Sequence, residues 1–105
     1  MNILAIGAHP DDIEFLCAGT LALYAKQGHK IFIAVATNGN VGSPTLSKNE
    51  ISDIRKSECE ESCKLLGAKL IWMNFDDEWL YDTPDSRMVF IDAIRESQAD
   101  IVFIH

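Results

Sequence analysis

Four short, almost unbroken apolar runs constrain this chain more than any other feature: NILAIGA at 2–8, KIFIAVAT at 30–37, KLIWMNF at 69–75 and DIVFIH at 100–105. None alternates polar with apolar residues, so each predicts a strand covered on both faces, as in a parallel sheet. Parallel neighbours need a crossover of a dozen or more residues. The gaps supply it, with helices predicted over about 13–27, 48–66 and 85–97. Ser47-Lys48-Asn49-Glu50 reads as a capping box, in which serine and glutamate satisfy each other's free amides. Thr83-Pro84 reads as a cap followed by proline at the first helical position. Gly28 and Gly67 stand where the first two helices must end in a left-handed residue.

Strand–helix alternation of this kind predicts a doubly wound α/β sheet of order 3-2-1-4, with right-handed crossovers. Ligands of such sheets bind beyond the carboxyl ends of the strands, where the strand order reverses. That places the crevice between the first and fourth strands. His9-Pro10-Asp11-Asp12 leaves the first strand there, and His105 closes the fourth. The fourth strand has no covering helix after it, so residues 1–105 are expected to be the N-terminal part of a single longer domain, truncated after strand four.

Composition removes several classes of function. Nine basic and sixteen acidic residues give a formal charge of −7, so no basic patch is offered to nucleic acid or an anionic membrane. No run approaches the roughly 20 apolar residues of a membrane span. The N-terminus has no basic segment and no small-residue cleavage site of a secretory signal, which makes the cytoplasm the expected compartment. Cys17, Cys59 and Cys63 have no zinc-ribbon spacing and are expected to be buried thiols.

The chemistry is concentrated in His-Pro-Asp-Asp. His9 and Asp12 flank a strand-to-helix junction, and Pro10 biases His9 to extended geometry, so both side chains can reach one point above the sheet. Imidazole plus carboxylate suits zinc, and iron, manganese or cobalt less selectively. Asp11, between them, can accept a proton from an activated water and return it to a leaving amine. The plainer reading has the two aspartates capping the first helix and His9 in a loop. H-x-x-D alone does not decide between them.

The residues GAHPDDIE, followed by CAGTLALYAKQGHKIFIAVATNG, resemble the opening of the PIG-L or LmbE-like family of metal-dependent N-deacetylases. The likeness includes A-H-P-D-D-x-E at Ala8 to Glu14, Gly19-Thr20-Leu21, Thr37-Asn38-Gly39, Arg55-x-x-Glu58 and Asp77 to Leu80, in order. Leu16 and Ala18 depart from it, standing where the family often has glycine. The resemblance implies a Rossmann-like three-layer sandwich that removes acetyl groups from N-acetylglucosaminyl-type amides with Zn2+, or Fe2+ or another divalent metal. It implies His9 and Asp12 as metal ligands, Asp11 as general base, and a third ligand in an H-x-D-H segment beyond residue 105. The implied partner is a small N-acetylated sugar conjugate. The oligomeric state stays open, a homo-oligomer included.

Outside that motif, Ile51, Ile54, Leu65 and Leu66 predict the apolar face of the second helix, with Arg55, Glu58 and Ser62 within it. Charges so placed need partners. Arg55 either braces the helix through Glu58 or reaches a substrate or a site carboxylate. Asp76 and Asp77 end the third strand on the same sheet edge, as a turn or, for Asp77, as a substrate group. His105 is expected to line the pocket on the substrate side, and Trp79, in a nearby loop, could stack on a sugar. Trp72 belongs to a buried strand and His29 to the opposite edge. The polar loop from Asn38 to Ser47 overlies the predicted site. Two rivals fit less well. A nucleotide-binding domain would need G-x-G-x-x-G after the first strand. A receiver-like phosphoacceptor domain leaves His-Pro unexplained. An inactive relative that uses the pocket only for binding is the third alternative.

Overall fold

A computed structural model describes all 105 residues. The elements run β1 (Asn2–Gly7), α1 (Asp12–Leu16), α2 (Ala18–Lys26), β2 (Lys30–Thr37), α3 (Lys48–Leu66), β3 (Lys69–Phe75), α4 (Pro84–Ser97) and β4 (Ile101–Phe103). The four strands form one sheet of order β3-β2-β1-β4, and every pair is parallel. The expected order is the observed one.

The sheet is the middle of three layers. On one face Ile3, Ala5, Ile31, Ile33 and Val35 meet Ile13, Leu21, Cys59 and Cys63 from the helices. On the other face α4 covers β1, with Ala93 buried among its residues. Leu4 and Ala34, which alternate with the first set, are fully buried there. The lower end is tied by Asn2, whose backbone N–H donates to Asp100 Oδ2 at 2.7 Å and whose carboxamide donates to the Ser97 carbonyl at 3.0 Å. No helix is long and apolar enough to cross a membrane.

Three local expectations need correction. The single helix predicted over 13–27 is broken at Cys17, whose φ of −146° leaves the helical region. The break lets α1 sit over the end of β1 while α2 follows β2. A side chain at Gly7 would meet Ile13 and Asp12 at 3.1–3.3 Å, so α1 packs directly on the strand there. The apolar stripe of α3 is also displaced. Cys59 and Cys63 are its buried residues, whereas Leu65 is 91% exposed and Ile54 43% exposed. The thiols and Leu66 line the core instead, because position 55 falls on the packed stripe at helical spacing from Cys59. Trp72 is half-buried, since β3 is an edge strand and donates its indole N–H to Asn74 at 3.3 Å.

The caps follow the sequence. Ser47 and Glu50 form a reciprocal capping box on α3, and Gly67 ends it at φ 65°. Thr83 caps α4 with Pro84 behind it, although Ser86 completes that box.

Candidate active site

The site is built on the carboxyl ends of β1, β2 and β3. Thr37, at the end of β2, holds the Ala8 carbonyl twice, through its backbone N–H at 2.8 Å and its hydroxyl at 2.8 Å. This fixes the chain where it leaves β1, one residue before His9. The His9 backbone N–H then donates to Asp12 Oδ2 at 2.8 Å, closing the turn. Asp11 occupies the cap position of α1 but makes no side-chain capping bond, and its backbone is left-handed at φ 91°. That conformation costs a non-glycine residue about 1–2 kcal/mol and needs a restraint. Arg55 supplies it: Nη2 donates to the Pro10 carbonyl at 2.7 Å and to Asp11 Oδ2 at 3.1 Å. The other guanidinium nitrogen lies 3.4 Å from Glu58. Both roles anticipated for Arg55 are therefore present in one side chain. Gly39 makes the approach possible, with φ 67° and the space a side chain would fill bordered by Pro10 and Arg55.

His9 is held between two carboxylates. Its Nε2 is 2.8 Å from Asp77 Oδ1, and its Nδ1 faces Asp12 Oδ2 at 3.8 Å. A carboxylate oxygen accepts, so the 2.8 Å contact with the buried Asp77 is one in which Nε2–H donates, and it turns the other ring nitrogen, Nδ1, toward Asp12. Donors sit about 2 Å from zinc, so two donors on one ion are at most about 4 Å apart. The Nδ1–Oδ2 spacing fits that span. A histidine ligand typically donates its other nitrogen to a carboxylate, as this one does. The donor set therefore suits a divalent cation with two protein ligands from this segment. No group of three or more His, Cys, Asp or Glu side chains converges as a complete cage.

His9, Pro10, Asp11, Asp12, Gly39, Gly42, Ile51, Arg55 and Asp77 line one open crevice of about 350 Å³. Five of the six sequence-derived candidates thus share a wall. His105 stands just outside it. Its Nε2 accepts the Ala8 N–H at 3.2 Å, and through that bond it braces the chain as it leaves β1. Trp79 is exposed beside Tyr81, away from the crevice. His29 lies at the opposite edge, against Tyr24 and the N-terminal amine.

Sequence reasoning places Asn38 in the Thr37-Asn38-Gly39 motif and both Asn38 and Asn40 in the loop over the site, but gives neither a role. Both are buried at the end of β2, and Asn40 Nδ2 and Asn38 Nδ2 converge on Asp76 Oδ1 at 3.0 and 3.3 Å. Two asparagines straddling a glycine after a strand were the available signal. They read as loop residues because asparagine is common in turns.

The fold and crevice define an α/β protein with a histidine–carboxylate site over the ends of β1, β2 and β3. The site is not in the gap between β1 and β4, where the reversal of strand order predicts it, because His9 turns toward Asp77 at the end of β3. The family described as PIG-L, GlcNAc-PI de-N-acetylase, matches residues 4–105. The chain belongs to that family. It is 45% identical over 77 residues to the uncharacterized deacetylase YaiS of Escherichia coli, covering 72% of this chain and 38% of that protein. It is 31% identical over 88 residues to mycothiol S-conjugate amidase of Streptomyces coelicolor, covering 76% of this chain and 30% of that one. The solved structure of N,N'-diacetylchitobiose deacetylase from Pyrococcus horikoshii superposes with a TM-score of 0.88 at 33% identity, over 95% of this chain and 39% of that one. The chain thus spans less than half the length of these relatives.

Proposed function

We propose that this chain carries part of the active site of a metal-dependent amide hydrolase that removes acetyl groups from N-acetylglucosamine-type conjugates. The observation that carries the reading is the convergence of His9, Asp12 and a strained Asp11 on one crevice wall. Backbone strain concentrates where geometry matters to chemistry. Membership of the family supplies the substrate class, with an acetylated sugar deacetylase and a conjugate amidase among the relatives.

In this reading His9 and Asp12 hold the cation, zinc first and iron next, and a third donor comes from a segment outside these 105 residues. When bound, the cation supplies Lewis acidity to the amide carbonyl and to the attacking water. Asp11 takes the water's proton at its carboxylate and delivers it to the departing amine. Arg55 keeps that carboxylate turned into the crevice. Asp77 keeps the His9 lone pair facing Asp12, and Ile51 is the one apolar side chain of the wall, against which an acetyl methyl can rest.

The test is acetate release from N-acetylglucosamine conjugates by the zinc-loaded full-length protein and its Asp11→Asn variant. Release by the wild type, and a fall of at least 100-fold in kcat at equal metal content, is expected for loss of a general base. Equal turnover in Asp11→Asn would remove Asp11 from the chemistry.

A further inference from the structure

Asp77 orients His9, but Asp77 sits in a turn that itself must be held: Glu78, the next residue, is left-handed at φ 67°. The holding group is Asn40, from the loop after β2. Its side-chain Oδ1 accepts the Asp77 backbone N–H at 3.1 Å, and its Nδ2 donates to Asp76 Oδ1 at 3.0 Å. Asn40 is itself fixed, because its backbone N–H donates to Asn38 Oδ1 at 3.0 Å. Asp76 is steadied from a second side by Asn38 at 3.3 Å. Asn40 is 7% exposed and Asp77 9% exposed, so the bonds between Asn38 and Asn40 and between Asn40 and the Asp77 amide are little challenged by water. The exposed Asp76 takes the outer, half-buried end of the clamp.

We propose that Asn40 is a positioning residue whose carboxamide, by clamping Asp76 and Asp77 together, fixes the ring of His9 in the Nε2–H form. A carboxamide alone offers a donor to one carboxylate and an acceptor to the next backbone amide from the same side chain. Aspartate at position 40 would set a third carboxylate against Asp76 and lose the donor. Glutamine would overreach by one methylene. The consequence for catalysis rests on the reading of His9 as a cation donor. The positioning itself does not.

The experiment is nitrogen–proton correlation NMR of the metal-free protein. It has three histidines, and His9 is assigned by its loss in His9→Gln. The wild type is expected to show His9 as a single Nε2–H tautomer. Asn40→Asp is expected to show a mixture of tautomers at His9, with the His29 pattern and the strand amides unchanged. Two results would overturn the proposal: tautomer exchange at His9 in the wild type, which needs no variant, or an unaltered His9 in folded Asn40→Asp. Asp77→Ala, which removes the direct acceptor, must perturb His9 at least as much as Asn40→Asp, and a smaller effect would also overturn it. On the full-length protein, Asn40→Asp is expected to weaken zinc binding about 10-fold or more, as loss of a ligand's supporting partner does. Fixed tautomers with no zinc binding by the wild type would sink the hydrolase reading and leave the positioning intact.

Discussion

Asp11 is the residue on which the candidate chemistry and the local backbone both depend. Its φ of 91° suits glycine or asparagine better than most residues. Removing the carboxylate by two routes separates strain from chemistry. Asp11→Gly and Asp11→Ala lose the same Arg55 contact, yet Asp11→Ala should be less stable by about 1 kcal/mol, because only alanine retains the left-handed penalty. Urea midpoints measure this, and coincident midpoints would mean that the turn relaxes. Arg55 has the converse part. It joins the Pro10 carbonyl, Asp11 and Glu58 in one planar fork. Arg55→Lys is expected to cost about 1–2 kcal/mol, since an ammonium cannot reproduce that geometry. Chemical denaturation of the two proteins checks it.

At the scale of elements, α3 joins the core to the site, and its thiols report on that packing. Burial, with Glu14 adding its negative charge, pushes Cys59 up to about 12 and Cys63 up to about 11. Both thiols then keep their protons in the fold while unfolded thiols ionise near 9.0. Their contribution to stability is full below about pH 9 and is lost as pH rises toward 11 and 12. Replacing both by alanine should flatten the alkaline fall in thermal midpoint, and an unchanged slope would assign it elsewhere. At the other extreme, the Ser47 amide and hydroxyl hold Glu50 below its usual carboxylate value of 4.5. Its cap stabilises α3 above about pH 4.5 and fades as pH drops through the lower folded value. Ser47→Ala should cost about 1 kcal/mol at neutral pH, measured by thermal unfolding.

This helix also shows where the sequence was readable. Its caps were legible because capping is a local event between residues three apart. Its two buried thiols were legible too, since free cysteine packs as a small hydrophobe, but the rest of its stripe was not, because Ile54 and Leu65 read as core although the fold leaves them exposed. The break at Cys17 escaped notice because nothing among Leu16, Cys17 and Ala18 opposes a helix, while the close packing of Ile13 and Asp12 on Gly7 is a tertiary contact.

For the whole molecule, topology was the most legible feature. Four apolar runs with helix-length gaps admit few arrangements once crossovers are right-handed, and the order β3-β2-β1-β4 brings His9, Asp11 and Asp12, at the end of β1, beside the ends of β2 and β3. Arg55 and Asp77 reach the same crevice from elements whose contacts no spacing rule predicts. The network through Asn38 and Asn40 was illegible, because hydrogen bonds between two loops depend on the sheet that carries them. The central claim is that this crevice holds a cation through His9 and Asp12 beside a separate base. It is tested most directly by elemental analysis of the full-length protein and three variants. The account predicts about one zinc or iron per wild-type chain, its loss in His9→Ala and Asp12→Ala, and its retention in Asp11→Asn. No metal in the reconstituted wild type, or metal undiminished in His9→Ala, would contradict it.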